Sequence, residues 1–567
     1  MKHFILLTLF LCMFNLRLAA QSYHPGNEEL LGSGLPLVEI ATEGGVEPTC
    51  EVIYAPEGCM GVGITNKTKV PSRMTITQGN ELLYDSGEYE ENASGLLLSF
   101  RGNTSAALSD KKPYKLKLQK KADLLFRDDS LYNDKEWGLL KCENEKFLNT
   151  LVGFKVNEMV GLQWTPHFMY VNVVINGDYK GVYMLMETVK DSKARLSVDK
   201  NSGYIIEYDA YWWNEDLCLP AGQFFSWSSM RYTFKYPDSK DITQEQIDFI
   251  QSRVEEMENA VTAGNYDEYI DVPSFAAWLI AHDILGDVDG CGSNIFLTLS
   301  DSVSTTKFQM GNIWDLDNIE LADDNWAIIH SMYGFYFEWL FRSKNKMFME
   351  TYKNLWNELS PLLVDEMNHF LDDFLASQEG QGLNACMQYD ALRWGYDPGT
   401  LSAEIEKHKG WFTNRKAWLD EHSTDIRSPW NIYTATFDNA DAWEKVYAYV
   451  QNNNGESIME PLGKWPGTEL GKDEETGLYH IIIEDIRMPE NIIFNDGSME
   501  EDTIAGVNKT ETYKFVNNKT YIYNNLSAIR DIQQKKRDSI IYTIQGQRVR
   551  KAVKGLYILN GKVVFAK

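Results

Sequence analysis

Apolar and polar side chains alternate with a period of two through residues 21–97, as in Leu35-Pro-Leu-Val-Glu-Ile40 and Arg73-Met-Thr-Ile-Thr77, with Gly and Asn turns between the runs. That period predicts β-strands. The alternation recurs in Tyr114-Lys-Leu-Lys-Leu118, where Leu116 and Leu118 pack inward and Lys115 and Lys117 share the other face. Asn176-Gly177 separates two further apolar runs and predicts a hairpin. From Glu145 to Val160 apolar residues recur at helical intervals and Gly161 closes the run. Helical patterns also span Gln244–Thr262, Pro273–Leu285 and several aromatic-rich stretches between 335 and 422. After Pro429 the chain is β-patterned again, and Ile540–Lys567 predicts three short strands joined by Gly turns. Separate runs of strands and helices point to the α+β class.

A chain of 567 residues is too long for one core and predicts three or four units. The pattern divides it at 1–20, 21–97, 98–427, 428–524 and 525–567. Aromatics at 13% and hydrophobics at 44% predict packed domains, while a formal charge of -28 argues against nucleic acid or an anionic membrane as partner. Met1-Lys-His, the apolar run Phe4–Phe14 and Leu18-Ala-Ala20 before Gln21 read as a secretory signal peptide, 1–20, so the expected location is secreted or cell-surface. No later segment is long and apolar enough to predict a membrane span. Six cysteines follow the leader, and Cys50 and Cys59 are candidates to bridge neighbouring strands; no Cys or His spacing suggests zinc.

Candidate chemistry comes from polar residues spread along the chain: Lys117, then Asp289 with Asn294 five residues on, then Asp315 in Trp314-Asp-Leu-Asp317. Phosphoryl transfer needs a metal held by hard oxygen ligands and a carboxylate near the acceptor hydroxyl. Asn294 and Asp315 are therefore candidate Mg2+ ligands, Asp289 the base or orienter, and Lys117 the catalytic-site lysine that pairs with phosphates of ATP. Lys115 is the alternative to Lys117, and a solvated basic face is the alternative to both. Asp287 can be displayed beside Asp289 on the loop Gly286–Asn294, and Asp317 can replace Asp315 or cap the next segment. Arg101-Gly-Asn-Thr-Ser105 precedes a strand and is either a phosphate-cradling loop or an ordinary turn.

The stretches around these residues resemble the spore-coat protein H (CotH) kinase-like family: Leu98-Ser-Phe-Arg-Gly-Asn-Thr-Ser105, Lys111-Lys-Pro-Tyr-Lys-Leu-Lys-Leu118, Trp137-Gly-Leu-Leu140 and Tyr170–Glu187, then the Asp289–Asn294 loop and Trp314–Asp317. The resemblance covers roughly residues 37–425. It implies an atypical, protein-kinase-like two-lobed domain that uses ATP and Mg2+ to phosphorylate a protein hydroxyl. It favours Lys117 as the cleft lysine and puts Met184-Leu-Met-Glu187 at the hinge side of the nucleotide pocket. Glu187 is then a nucleotide contact, to an adenine amine or ribose, or else a surface cap. One departure stands out: the family commonly has an Arg-Asn pair where this chain has Glu145-Lys-Phe-Leu-Asn-Thr150, without the Arg.

Gly463-Lys-Trp-Pro-Gly467 and Asn491-Ile-Ile-Phe-Asn-Asp-Gly497 give residues 428–524 a second resemblance, to family 26 starch-binding modules of β-sandwich type. Tyr447 and Tyr449, two apart on a strand, share one face and with Trp465 form a candidate platform for the apolar faces of glucose rings; a core role is the alternative. The insert Asn452–Leu462 lies beside this site. The last residues, behind the basic stretch Gln533–Arg537, resemble the C-terminal sorting tails of Bacteroidetes secreted proteins. Two functions stay open: a kinase tethered to α-glucan, or a catalytically inactive surface protein that binds starch or mediates adhesion.

Overall fold

The computed structural model describes residues 24–142, 146–222, 229–287, 290, 293–319, 321, 335–423, 431–439, 442–451, 465–474, 476–485 and 491–497, with short strands between 510 and 566. The expected leader, Asp289, the insert at 452–462 and the basic stretch at 533–537 lie outside the described residues. The chain forms two compact units, 1–426 and 427–567.

The first unit begins with ten strands: β1 (Leu37–Thr42), β2 (Glu51–Tyr54), β3 (Val62–Thr65), β4 (Val70–Gln78), β5 (Glu81–Asp85), β6 (Leu96–Phe100), β7 (Tyr114–Ala122), β8 (Asp134–Lys141), β9 (Phe168–Ile175) and β10 (Asp178–Glu187). Eight form one sheet in the order β1-β9-β10-β8-β7-β6-β4-β5, and β1 also pairs with β4, so the ladder closes on itself. Closure leaves few free edges. The alternating apolar positions fill the interior, among them Val38, Ile40, Met74, Ile76, Leu116, Leu118, Val173 and Leu185. The N-terminal strands β1, β4 and β5 are thus part of the same sheet as the later motifs. The hairpin of β9 and β10 turns through Asn176 (φ 52°) and Gly177 (φ 81°), the left-handed pair this turn requires.

A second sheet has the order β12-β13-β11-β14-β15, from β11 (Tyr204–Asp209), β12 (Cys218–Pro220), β13 (Arg231–Tyr236), β14 (Ile295–Leu299) and β15 (Gln309–Met310). Long helices span Gln244–Ala263, Val272–Leu285, Met347–Ala376, Gln378–Trp394 and Leu401–His422. The first starts at a capping box of Thr243 and Gln246, the second at Asp271, whose side chain accepts from Ser274 N–H before the helix ends at left-handed Gly286. Val272–Leu285 is mostly apolar and is buried on every face from Phe275 to Leu285, within a core shared by the helices and the second sheet.

The second unit has a three-stranded sheet, β19-β16-β22, and a four-stranded one, β18-β17-β20-β21, from β16 (Asn431–Asp438), β17 (Tyr447–Gln451), β18 (Thr468–Glu469), β19 (Tyr479–Asp485), β20 (Asn491–Asn495), β21 (Thr510–Lys514) and β22 (Thr520–Asn524). Phe437, Trp443, Val446, Ala448, Ile481, Ile492 and Phe494 form its core. The tail has four strands rather than the expected three: β23 (Ile541–Thr543), β24 (Arg548–Val549), β25 (Gly555–Leu559) and β26 (Lys562–Ala566). The extra one is the two-residue β24, too short to show as a periodic pattern.

Among the described residues no helix is long and apolar enough to cross a membrane. Cys50 and Cys59 are free thiols, correcting the bridge proposed between them. Cys50 sits at the open end of the β2–β3 hairpin, where Glu51 pairs with Thr65, and Cys59 at its turn end, where Tyr54 pairs with Val62. The strand between them rises by about 13 Å, beyond the reach of a disulfide.

Candidate functional site

A cavity of about 1050 Å³ is walled by the end of β6 and by β7, β8, β11 and β13, and by the loops at 293–294 and 314–317. Arg101, just after β6, faces into it. Its guanidinium lies 5.6 Å from the Trp314 ring, and Nη1 is buried without a hydrogen-bond partner. Burial pushes its pKa down, and the nearby Asp315 carboxylate opposes that shift. Gly138 of β8 makes room for it, since a Cβ there would lie 2.8 Å from Nη1.

Opposite stand the two candidate metal ligands. Asn294 and Asp315 both have left-handed backbones, φ 61° and 62°, a conformation that short polar side chains tolerate best. Asn294 Nδ2 approaches Asp315 Oδ2 at 3.4 Å, so residues 21 apart in sequence converge on one point. Asn294 backbone N–H donates to Glu207 Oε1 at 3.1 Å, and Ser293 Oγ donates to Asp209 Oδ1 at 3.1 Å. Glu207 in turn pairs with Lys235 at 2.6 Å. Burial pushes the Glu207 carboxyl up to about 7 against the pull of Lys235; burial also opposes the charge of Lys235, but Glu207, Asp209 and Glu215 outweigh it and hold that amine above its ordinary value. Lys141, also in the lining, is pushed down by burial while Asp317 opposes the shift.

Of the expected residues, Arg101, Lys115, Asn294 and Asp315 line this cavity and Lys117 does not. Lys115 Nζ lies 3.1 Å from Glu136 Oε2 in the wall. Lys117, about 6.7 Å farther along β7, is exposed and lies outside that lining. Glu187 lies outside the cavity lining and is no surface cap. It is fully buried, accepts from Arg127 Nη2 at 2.9 Å and from His167 N–H at 3.1 Å, and has Arg195 at 4.0 Å. Its successors Thr188 and Val189 reach the lining. Asp287 is turned inward, fully buried 2.9 Å from His282 Nδ1, rather than displayed beside Asp289. Glu207, Asp209, Lys141 and Lys235 were not anticipated. The signal for Glu207 and Asp209 lay in Tyr204-Ile-Ile-Glu-Tyr-Asp209, where two acids interrupt an otherwise apolar strand at a spacing of two.

Among the described residues no group of three or more His, Cys, Asp or Glu side chains is arranged to hold a metal ion. Asp315 would hold Mg2+ through its carboxylate and Asn294 through Oδ1, once its amide turns from donating Nδ2 to Asp315; Mg2+ binds through one or two protein oxygens and keeps waters and substrate phosphates for its remaining positions.

In the second unit, Val446 and Ala448 point into the core, so Tyr447 and Tyr449 share the opposite face of the sheet. Trp465 meets Tyr449 edge-on, with ring centroids 5.4 Å apart. Tyr447 O–H donates to Glu469 Oε2 at 3.2 Å. Buried Asn495 holds the Trp465-Pro466 turn by donating to the Pro466 carbonyl at 3.0 Å. Tyr449 is 9% exposed, so it seats Trp465 as much as it faces outward, while Tyr447 and Trp465 are half-exposed.

Residues 98–419, more than half of the chain, match the CotH kinase protein family, and the chain belongs to that family. Residues 435–505 match starch-binding module 26. An alpha-amylase of Butyrivibrio fibrisolvens is 32% identical over 140 residues, which is 24% of this chain and 13% of that enzyme. The chain therefore spans only a small part of that relative's length.

Proposed function

We propose that this CotH-family chain is an exported phosphotransferase that uses ATP and Mg2+ to phosphorylate a protein hydroxyl, held on α-glucan by its starch-binding module. The observation that carries the reading is that Arg101 and the converged Asn294–Asp315 pair line one cavity. Arg101, with Lys115 and Lys141 in the same wall, supplies positive charge for a triphosphate. Asn294 and Asp315 are the residues that would hold Mg2+, which when bound neutralises phosphate charge. Asp289, five residues before Asn294, is the candidate to orient the acceptor hydroxyl and take its proton. Thr188 and Val189, in the lining directly after β10, are the candidates to border the base. A two-lobed, kinase-like arrangement belongs to this reading, and a cavity walled by both sheets supports it.

The second reading, an inactive kinase scaffold that binds starch, draws on Leu148. It is a fully buried apolar residue directly before Asn149, where the family commonly carries Arg.

Calorimetric titration of the full chain with ATP, with and without Mg2+, tests the nucleotide site. Mg2+-dependent binding abolished by Asp315→Ala supports phosphotransfer chemistry; absence of heat in every arm leaves the scaffold reading. Amylose affinity is expected to fall at least about tenfold in Trp465→Ala, as loss of a stacked aromatic predicts. Unchanged affinity would remove Trp465 from the platform.

A further inference from the structure

We infer that Glu207 and Asp209 are positioning residues for the metal ligand Asn294, a two-point clamp that reaches from the second sheet and presets its side chain toward Asp315. The inference rests on the nucleotide reading above and extends it to residues outside that chemistry. On β11, Glu207 and Asp209 are two apart and so share a face, while Tyr208 between them is buried on the other. β11 pairs with β14 so that Tyr208 faces Ile295, which puts the two carboxylates directly beneath the residues that lead into β14.

Each carboxylate takes one donor from that segment, Ser293 Oγ on Asp209 and Asn294 N–H on Glu207. Both acids are nearly buried, at 4% and 5% exposure, and both are anchored from behind. Asp209 also accepts from Thr233 Oγ1 at 3.0 Å and Tyr211 N–H at 2.7 Å, and Glu207 pairs with Lys235. The clamp on two consecutive residues holds the backbone on the N-terminal side of the φ of Asn294, a torsion that helps to aim its amide, and the β11–β14 ladder from Ile295 onward holds the other side. Left-handed backbone away from glycine persists only when its surroundings over-determine it. Mere stabilisation of the strand end would predict lower stability on substitution, with no selective effect on metal.

The test is Mn2+ binding to the full chain by electron paramagnetic resonance, then ATP titration with and without Mg2+. Wild type is compared with Asp209→Ala, Asp209→Asn, Glu207→Ala and Ser293→Ala, and thermal unfolding verifies the fold. Loss of an outer partner of a metal ligand weakens metal binding by about tenfold to a hundredfold, and that loss is expected for D209A and E207A. D209N keeps an oxygen acceptor for Ser293 and Tyr211 and is expected to bind Mn2+ nearly as wild type does. ATP affinity without metal is expected to be unchanged in Ser293→Ala, which alters no charge in the cavity wall. Ser293→Ala removes one donor without touching a buried charge and is expected to weaken Mn2+ too, so the test holds where D209A does not fold. Folded D209A, E207A and S293A with wild-type Mn2+ affinity would overturn the clamp and leave the nucleotide site standing. D209N as weak as D209A would overturn it by showing that charge acts rather than the hydrogen bond. Wild type that binds neither Mn2+ nor ATP would overturn both.

Discussion

Asp390 is the residue whose loss should most damage the first unit. It lies in the helix Gln378–Trp394 and is fully buried. Oδ1 accepts from Lys111 Nζ at 2.6 Å and from Val182 N–H of β10 at 2.7 Å, while Oδ2 accepts from Tyr396 O–H at 2.6 Å. One carboxylate thus joins a helix, the closed sheet and the loop before β7. Gly181 allows the approach, since a Cβ there would lie 2.2 Å from Oδ1. In Asp390→Ala the Lys111 ammonium, 6% exposed, keeps only the Cys142 carbonyl at 3.2 Å and the Tyr183 ring at 5.2 Å. Removing one partner of a buried pair costs about 3–5 kcal/mol, and an orphaned Val182 N–H adds about 1 kcal/mol or more. Tyr396 is half-buried and can turn its hydroxyl to water, so its share is small. The expected loss is about 4–6 kcal/mol, a large part of the roughly 5–15 kcal/mol available to a folded protein. Lys111→Met with Asp390→Leu removes both charges together and should be clearly more stable than D390A alone. Every described α-helix lies between residues 27 and 422, so helical ellipticity during urea unfolding of the full chain reports this unit. A loss below about 1.5 kcal/mol in D390A, or a double variant no better than D390A, would refute the reasoning.

Gly153→Ala would place a Cβ 2.1 Å from Leu316 Cδ1, between Asp315 and Asp317. Overpacking of about 1–3 kcal/mol is expected, together with weaker Mg2+-dependent ATP binding as Leu316 shifts its neighbour; unchanged calorimetry would separate packing from the site. His408 is buried and burial lowers its pKa to about 3, below its ordinary 6.5. The unfolded chain then takes up the extra proton first as pH falls, so this contribution is intact above about pH 6.5 and lost on the way to pH 3, by about 2 kcal/mol near pH 5. His408→Leu should flatten the acid limb of stability against pH, and an unaltered limb would show that other groups dominate it.

Much of the fold was legible because β-periodicity and burial are local properties of the chain. Leu116 and Leu118 are inward as the alternation requires, the Asn176-Gly177 turn is where the dipeptide predicts it, and Tyr447 and Tyr449 share the face opposite Ala448. Closure of the first sheet was not legible. It depends on β1 pairing with both β4 and β9, and neither strand's own pattern specifies a partner. Glu187 escaped for a similar reason, since the Arg127 that holds it is 60 residues away.

The same distinction separates the parts of the site. Asn294 and Asp315 could be singled out because each sits in a short polar motif next to an apolar strand, and the fold then brings the motifs together. Alternation gives Lys115 and Lys117 the same face, so the resemblance and not the pattern put Lys117 first, and only the end of the cavity wall separates the two. Glu207 and Asp209 show what a local signal can still reveal. Burial of two charges on a strand is unfavourable unless each finds a partner. An apolar strand that carries two acids at a spacing of two therefore announces partners elsewhere, although nothing local names them. Here the partners are Lys235 and Thr233 on one side and the Ser293–Asn294 turn on the other. Charged residues that break an otherwise apolar period are accordingly the positions from which to search such a chain for its site.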